Sequence, residues 1–266
     1  MSWEEYELMP WKLGWKHEYW DGHAHITPRE HAVCVVADVV SRPVGSPCVF
    51  RSLLPEDQRS LSALFFQAFR DTVEFCDWKT KAILEAAVSA IETFRSGQRG
   101  KPHNASRVAV SAGSCAADDR VIGAALIVEP SPGQPVLDML FVSTRERRRG
   151  IASALVGAAM NELDLLGVKT LESAYVMGNE ESRAWHQGFG FVEEPDLITA
   201  RLYYRHAQHE LKRNDALHHL SESEWTQITE ECARWKGEAE RLDAIAREQG
   251  YDKVSPVLRR VDRCRA

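Results

Sequence analysis

Residues 136–153 read VLDMLFVSTRERRRGIAS. The apolar run from Val136 to Val142 has the composition of a buried strand. The stretch Ser153–Leu166 that follows has apolar residues at helical spacing. Between them lies the basic turn Arg147-Arg148-Arg149-Gly150. A strand that ends in a small-residue turn and opens a helix is suited to holding phosphate. Backbone N–H groups project from the helix start, the helix dipole adds partial positive charge, and glycine lets the backbone approach closely. Three arginines add planar, bidentate donors. The spacing is neither Gly-x-Gly-x-x-Gly nor a P-loop, because no Gly-Lys-Ser/Thr follows.

Downstream, Thr170–Val176 reads as a second strand. Asn179, Ser182, Trp185, His186 and Gly190-Phe191 follow in that order. The pattern Arg-x-x-Gly-x-Ala from Arg147 to Ala152, followed by this second group, resembles the GNAT superfamily of acyl-CoA-dependent N-acetyltransferases. The resemblance covers about residues 47–206, and its specific motifs lie in 136–191. It implies an α/β (α+β) fold: a mixed, mainly antiparallel sheet flanked by helices. It implies acetyl-CoA as co-substrate, a small-molecule or protein primary amine as acceptor, and direct transfer without a covalent enzyme intermediate.

The same resemblance assigns roles to residues. The backbone of Leu140, Phe141 and Val142 would pair with the pantetheine arm and polarise the thioester carbonyl. Backbone N–H groups of Arg148, Arg149, Gly150, Ile151, Ala152 and Ser153 would hold the pyrophosphate, with Arg147 as the leading arginine. Asn179 would sit beside the pantetheine; by residue type it is equally a helix N-cap. His186 stands where the family usually has a tyrosine general acid, and histidine can protonate a thiolate near neutral pH. The base is open. The position five residues before Asn179, where many members carry Glu, is Ala174. Glu172, on the same strand face by period-two alternation, and Asp138 are the candidates. Each is equally readable as a solvated or ion-paired carboxylate. These departures motivate the alternative of a non-catalytic acyl-CoA-binding regulatory or assembly protein.

The whole chain sets the bounds. Its 266 residues, 44% of them hydrophobic, suffice for one large domain with appendages. A net charge of −6 argues against general nucleic-acid binding. The six cysteines, at 34, 48, 76, 115, 232 and 264, include no Cys-x-x-Cys pair and read as free thiols of a reducing compartment. No apolar run approaches the ~20 residues that cross a bilayer, and the opening Met1–Glu7 is acidic rather than basic. The expected location is cytoplasmic, without a membrane partner. His23 and His25 share a strand face but have no Cys or acidic partner at ligand spacing, so no metal is expected.

Outside 47–206 two extensions are expected. Residues 1–46 carry Trp3, Trp11, Trp15 and Trp20, and Asp21-Gly22 between two short runs signals a hairpin. With Ala32–Val40 as a third strand, this reads as a β-meander. Residues 207–266 read as a helical tail. Ser221 and Glu224 fit a capping box. From Trp225 through Ile228, Cys232, Trp235, Ala239 and Leu242 to Ala246, an apolar seam repeats every three or four residues. The seam packs on its own domain or, alternatively, on a partner helix in a homodimer. Within the central region, Pro47–Leu53 reads as a strand, helices are expected from Leu54-Pro55 and over Lys79–Phe94, Val108–Ala112 and Val121–Val128 as a hairpin around Ala116–Arg120, and Ile198–Arg205 as a closing strand.

Overall fold

The computed structural model describes residues 1–45, 48–111 and 120–254. Along the chain run α1 (Trp3–Glu7), β1 (Trp15–Trp20), β2 (His23–Pro28), β3 (Ala32–Asp38) and β4 (Val49–Ser52). Then come α2 (Gln58–Phe69), α3 (Thr80–Ser96), β5 (Lys101–Pro102), β6 (Arg107–Ser111), β7 (Arg120–Ser131) and β8 (Gln134–Val142). The remainder is α4 (Ile151–Leu165), β9 (Thr170–Val176), α5 (Glu180–Phe189), β10 (Val192–Glu194), α6 (Leu197–Leu217) and α7 (Glu222–Gln249). The turn expected at Ala116 lies outside the described residues.

The protein is mixed α+β. Its eight-stranded sheet runs β10-β3-β9-β8-β7-β6-β4, with β5 beside β7. The β4–β6, β5–β7, β6–β7 and β7–β8 pairs are antiparallel, and β8–β9 is parallel. Two compact units emerge. Among the described residues, the larger is Val35–Ala174 with Ala184–Val192; the smaller is Met1–Cys34, Tyr175–Arg183 and Glu193–Val254.

In the larger unit β7 is buried from Val121 to Val128 without alternation, as expected of a strand covered on both faces. On one face, Leu61, Leu64, Phe65 and Ala68 of α2 and Ala87, Ile91 and Phe94 of α3 pack with Leu126, Met139 and Phe141. On the other, α4 presents Ile151 and Leu155 toward Gly123 and Val142. The helical start at Pro55 is tied to β4 by one carboxylate. Asp57 accepts from both guanidinium nitrogens of Arg51, at 2.8 and 2.7 Å, and from the Leu54 N–H at 2.8 Å. Burial alone would raise the Asp57 pKa, but the Arg51 and Leu54 donors bring it below the usual carboxylate value. A depressed carboxylate adds stability above its unfolded pKa and loses it as pH falls through the folded one. Asp57→Asn should therefore cost about 3 kcal/mol at pH 7, since it removes the charge that pairs with the Arg51 guanidinium, and less below pH ~4. Urea unfolding at the two pH values checks this; an equal cost at both would refute it.

The smaller unit holds the β1–β2 hairpin, paired from Trp15↔Pro28 to Trp20↔His23 around Asp21-Gly22. Trp11 stacks between His17 and His209, with centroids 5.4 and 3.8 Å away. His209 and His206 of α6 donate through Nε2–H to the carbonyls of Met9 (2.9 Å) and Trp11 (3.2 Å), since carbonyls only accept. The capping box of Ser221 and Glu224 starts α7 as expected. Trp235, Ala239 and Leu242 of the seam are buried in α7, which packs on α6, and Trp235 stacks on Tyr203 at 4.4 Å. Trp225 is exposed.

Two expectations are corrected. The run Ile198–Arg205 is not a strand but the start of α6. Asp196 caps it by accepting the Thr199 N–H at 2.6 Å, and Leu197, Ala200, Tyr203 and Ala207 are buried at helical steps. Alternation of Ile198, Ala200, Leu202 and Tyr204 suggested period two, but the capping aspartate and the 3.6-residue period prevail. Nor does Ala32–Asp38 extend the hairpin: it joins the eight-stranded sheet between β10 and β9. A β-branched run buried on both faces belongs to a covered sheet, and Val33, Cys34 and Val35 are all buried.

Candidate functional site

The site region is built where β8 and β9 part. Their parallel ladder comprises Val136↔Glu172 and Leu137↔Ser173. Beyond it, Met139–Val142 pairs with β7 on one edge, while the described β8–β9 ladder does not extend along the other. At this point β8 also bulges: Leu126 pairs with Met139 and Ile127 with Leu137, so Asp138 is the extra residue. A bulge breaks side-chain alternation and re-aims one residue. Asp138 is turned to the same side as Met139, because Arg99 Nη2 lies 2.8 Å from Asp138 Oδ2 and 3.7 Å from Met139 Sδ. The Asp138 side chain is only 14% exposed. Burial raises its pKa, and the charge of Arg99 partly offsets this.

After β8 the chain turns through Thr144–Glu146 into the basic loop. Arg148 and Gly150 both have positive φ, 62° and 76°. Gly150 is the N-cap of α4 in the left-handed conformation, and no side chain caps the helix. A Cβ at Gly150 would meet nothing within 4 Å. The start of α4 thus has open space beside Gly150 and no side-chain cap on its first N–H groups. Arg147 donates to the Ala68 carbonyl at 2.6 Å, tying the loop to the end of α2. Arg149 pairs with Glu146. Ser153 accepts from the Trp185 indole N–H at 3.2 Å.

His186 is buried, 4% exposed. Its Nε2 lies 3.1 Å from Ser173 Oγ, and that hydroxyl donates to the Leu137 carbonyl at 3.2 Å. With the hydroxyl hydrogen so used, the histidine carries its proton on Nε2 and donates to Ser173. The chain His186–Ser173–Leu137 therefore fastens the last rung of the β8–β9 ladder.

Residues 74–191 match the family model described as "Acetyltransferase (GNAT) family". These residues form a GNAT acetyltransferase domain. Solved structures similar to the chain include a GCN5-related N-acetyltransferase from Sphaerobacter thermophilus (19% identity, 66% of this chain and 47% of that chain, TM-score 0.39). Others are an aminoglycoside N-acetyltransferase, AAC(6')-Iy, in complex with CoA (22%, 57% and 92%, TM-score 0.37) and the PaiA N-acetyltransferase from Thermoplasma acidophilum in complex with coenzyme A (15%, 46% and 74%, TM-score 0.34). The match spans about half the length of the first of these. No curated protein matches the chain significantly.

The β8 edge, the basic loop, α4, β9 and most of α5 all lie in the GNAT domain. The three expected catalytic side chains fall on two faces of its sheet. Val136 packs against the α2–α3 side and pairs with Glu172, so Glu172 and Asp138 share that side. Ser173, and with it His186, lies on the opposite side. Asn179 accepts the Ser182 N–H at 3.0 Å, the N-cap bond expected from its residue type. Sequence reading missed Arg99 and Ser173. Neither carries a local signal: Arg99 meets Asp138 across 39 positions of chain. Among the described residues no group of three or more His, Cys, Asp or Glu could hold a metal ion, and no helix is long and apolar enough to cross a membrane.

Proposed function

We propose that the protein is an N-acetyltransferase that moves an acetyl group from acetyl-CoA to a primary amine by direct transfer. The observation that carries this reading is the uncapped, Gly150-headed start of α4, which follows the basic loop after β8, the strand whose described ladder to β9 ends at Leu137. The donor set fits a pyrophosphate: backbone N–H groups from Arg148 to Ser153, with the Arg148 and Arg149 guanidinium groups adding charge. The Leu140–Val142 backbone would hold the pantetheine as an added strand. The bound thioester supplies the activated acyl group: the amine nitrogen would form the new C–N bond as the thioester C–S bond breaks, and the CoA thiolate would leave and take up a proton from water. Asp138, or Glu172 on the same sheet side, takes the proton of the acceptor ammonium, directly or through water. Asn179 is assigned to the pantetheine. The domain boundaries at 47 and 206, the cytoplasmic setting and a homodimer through the α7 seam belong to the same reading.

The buried ring of His186 and its bond to Ser173 favour a holding role over the proton-delivery role its position suggests. His186→Gln keeps a side-chain N–H donor, and we expect it to retain turnover within about tenfold and bind acetyl-CoA normally, a change of ~1.4 kcal/mol or less. A loss above a hundredfold in a folded protein would return His186 to the role of acid. The same burial, with Ala174 at a usual base position, favours a second reading, acyl-CoA binding without turnover. Titration of acetyl-CoA followed by an acceptor panel (a polyamine, an arylalkylamine, an amino sugar and a lysine peptide) separates the two. Binding with acetylation supports the enzyme; binding with none supports the second reading.

A further inference from the structure

Asp138 does not stand alone in the larger unit. Arg99 reaches it from the turn after α3, and that turn is tightly held. Gly100, at φ 126°, approaches Pro130 so closely that a Cβ there would lie 2.7 Å from the Pro130 nitrogen. Arg99 Nη2 also donates to the Ala90 carbonyl of α3 at 3.0 Å, so the guanidinium is oriented before it meets the carboxylate. Its partner sits at the bulge of β8 between Leu137 and Met139, where the ladder with β7 skips one residue. A side chain that only needed to close a gap would not require a charge here, because the surroundings of Met139 and Phe141 are apolar.

We infer that Arg99 is a positioning residue of the transfer site: it turns the Asp138 carboxylate at the β8 bulge and keeps it ionised, ready to accept a proton from the acceptor amine. This rests on the acetyltransferase reading of residues 74–191. Two opposed influences meet at Asp138. The apolar setting favours the neutral acid, and the adjacent guanidinium favours the carboxylate. Removing the guanidinium leaves only the first, so a base needed in its ionised form becomes available only at higher pH. An ion pair with a merely structural role would lower stability on breaking without moving the pH dependence of turnover.

The test compares wild type, Arg99→Gln, Arg99→Lys and Asp138→Asn in the full-length protein. Acetyl transfer is followed across pH with the best amine of the panel, and acetyl-CoA binding is measured by calorimetry. The acid limb of kcat/KM should move up by about one pH unit or more in Arg99→Gln. Arg99→Lys should restore most of the shift, and acetyl-CoA affinity should stay within about twofold of wild type in each variant, a change under ~0.5 kcal/mol. Asp138→Asn should lose the limb with most of the rate. A carboxyl carbon NMR titration of Asp138 in wild type and Arg99→Gln should show the same displacement without turnover. An unmoved limb and an unmoved Asp138 titration, in folded and active variants, would overturn the inference. A wild type that binds acetyl-CoA but acetylates nothing would overturn the acetyltransferase reading, and this inference with it.

Discussion

Gly150→Glu should remove acetyl-CoA binding while leaving the protein folded. At this position φ is 76° and a Cβ meets nothing within 4 Å, so the substitution has room for its side chain. Its folding cost is that of a left-handed non-glycine residue, about 1–2 kcal/mol. A carboxylate at the start of α4 interacts favourably with the helix dipole, which offsets part of this. For a pyrophosphate on the same N–H groups the effect is the opposite. Two like charges about 4 Å apart in a partly shielded site repel by about 4 kcal/mol, or roughly a thousandfold in affinity. Calorimetric titration of wild type and variant measures this directly, with circular dichroism to verify folding. Equal affinity in both would remove the α4 start from the cofactor site.

In the smaller unit, Glu193→Ala should be among the most destabilising single substitutions. Glu193 Oε1 accepts from the Tyr175 hydroxyl at 2.5 Å and from Arg183 Nε at 3.2 Å, and Oε2 accepts from the Tyr203 hydroxyl at 3.1 Å. The guanidinium of Arg183 also lies 5.3 Å from the Tyr203 ring centroid. Burial first, with the adjacent charge of Glu193, raises the Tyr203 phenol to about 12; Tyr175 is pushed higher still, burial again leading. Both hydroxyls therefore remain donors at any working pH. Truncating the carboxylate removes the shared acceptor of two phenols and a guanidinium at once. The expected loss is about 3–5 kcal/mol. Glu193→Gln retains one acceptor oxygen and should lose about half as much. Urea unfolding followed by tryptophan fluorescence reads both, since Trp235 stacks on Tyr203. A loss below about 1 kcal/mol for Glu193→Ala would mean that the network is replaceable by water.

Legibility in the sequence followed the range of the interactions. The strand Val136–Val142, the helix after Gly150, the strand Thr170–Val176 and the helix headed by Asn179 were all readable, because each rests on local periodicity and on one cap or turn residue. The same local evidence failed at Ile198–Arg205, where alternation over eight residues concealed the helix that Asp196 starts. It could not place Ala32–Asp38 either, because a β-branched run pairs equally well with a hairpin or with a large sheet, and only burial on both faces decides.

What the sequence determined by itself is the basic, glycine-headed turn between a strand and a helix, and with it the GNAT character of residues 74–191. Those features need only backbone conformation and neighbouring residues. What the tertiary structure decided is which side chains serve the site and from which side. The bulge that singles out Asp138, the arrival of Arg99, the holding of His186 by Ser173, and the division of Asp138 and Glu172 from His186 across the sheet all depend on strand register and long-range pairing. A one-residue change in register reverses the face of every side chain beyond it, and nothing in a local stretch of sequence records where that change occurs.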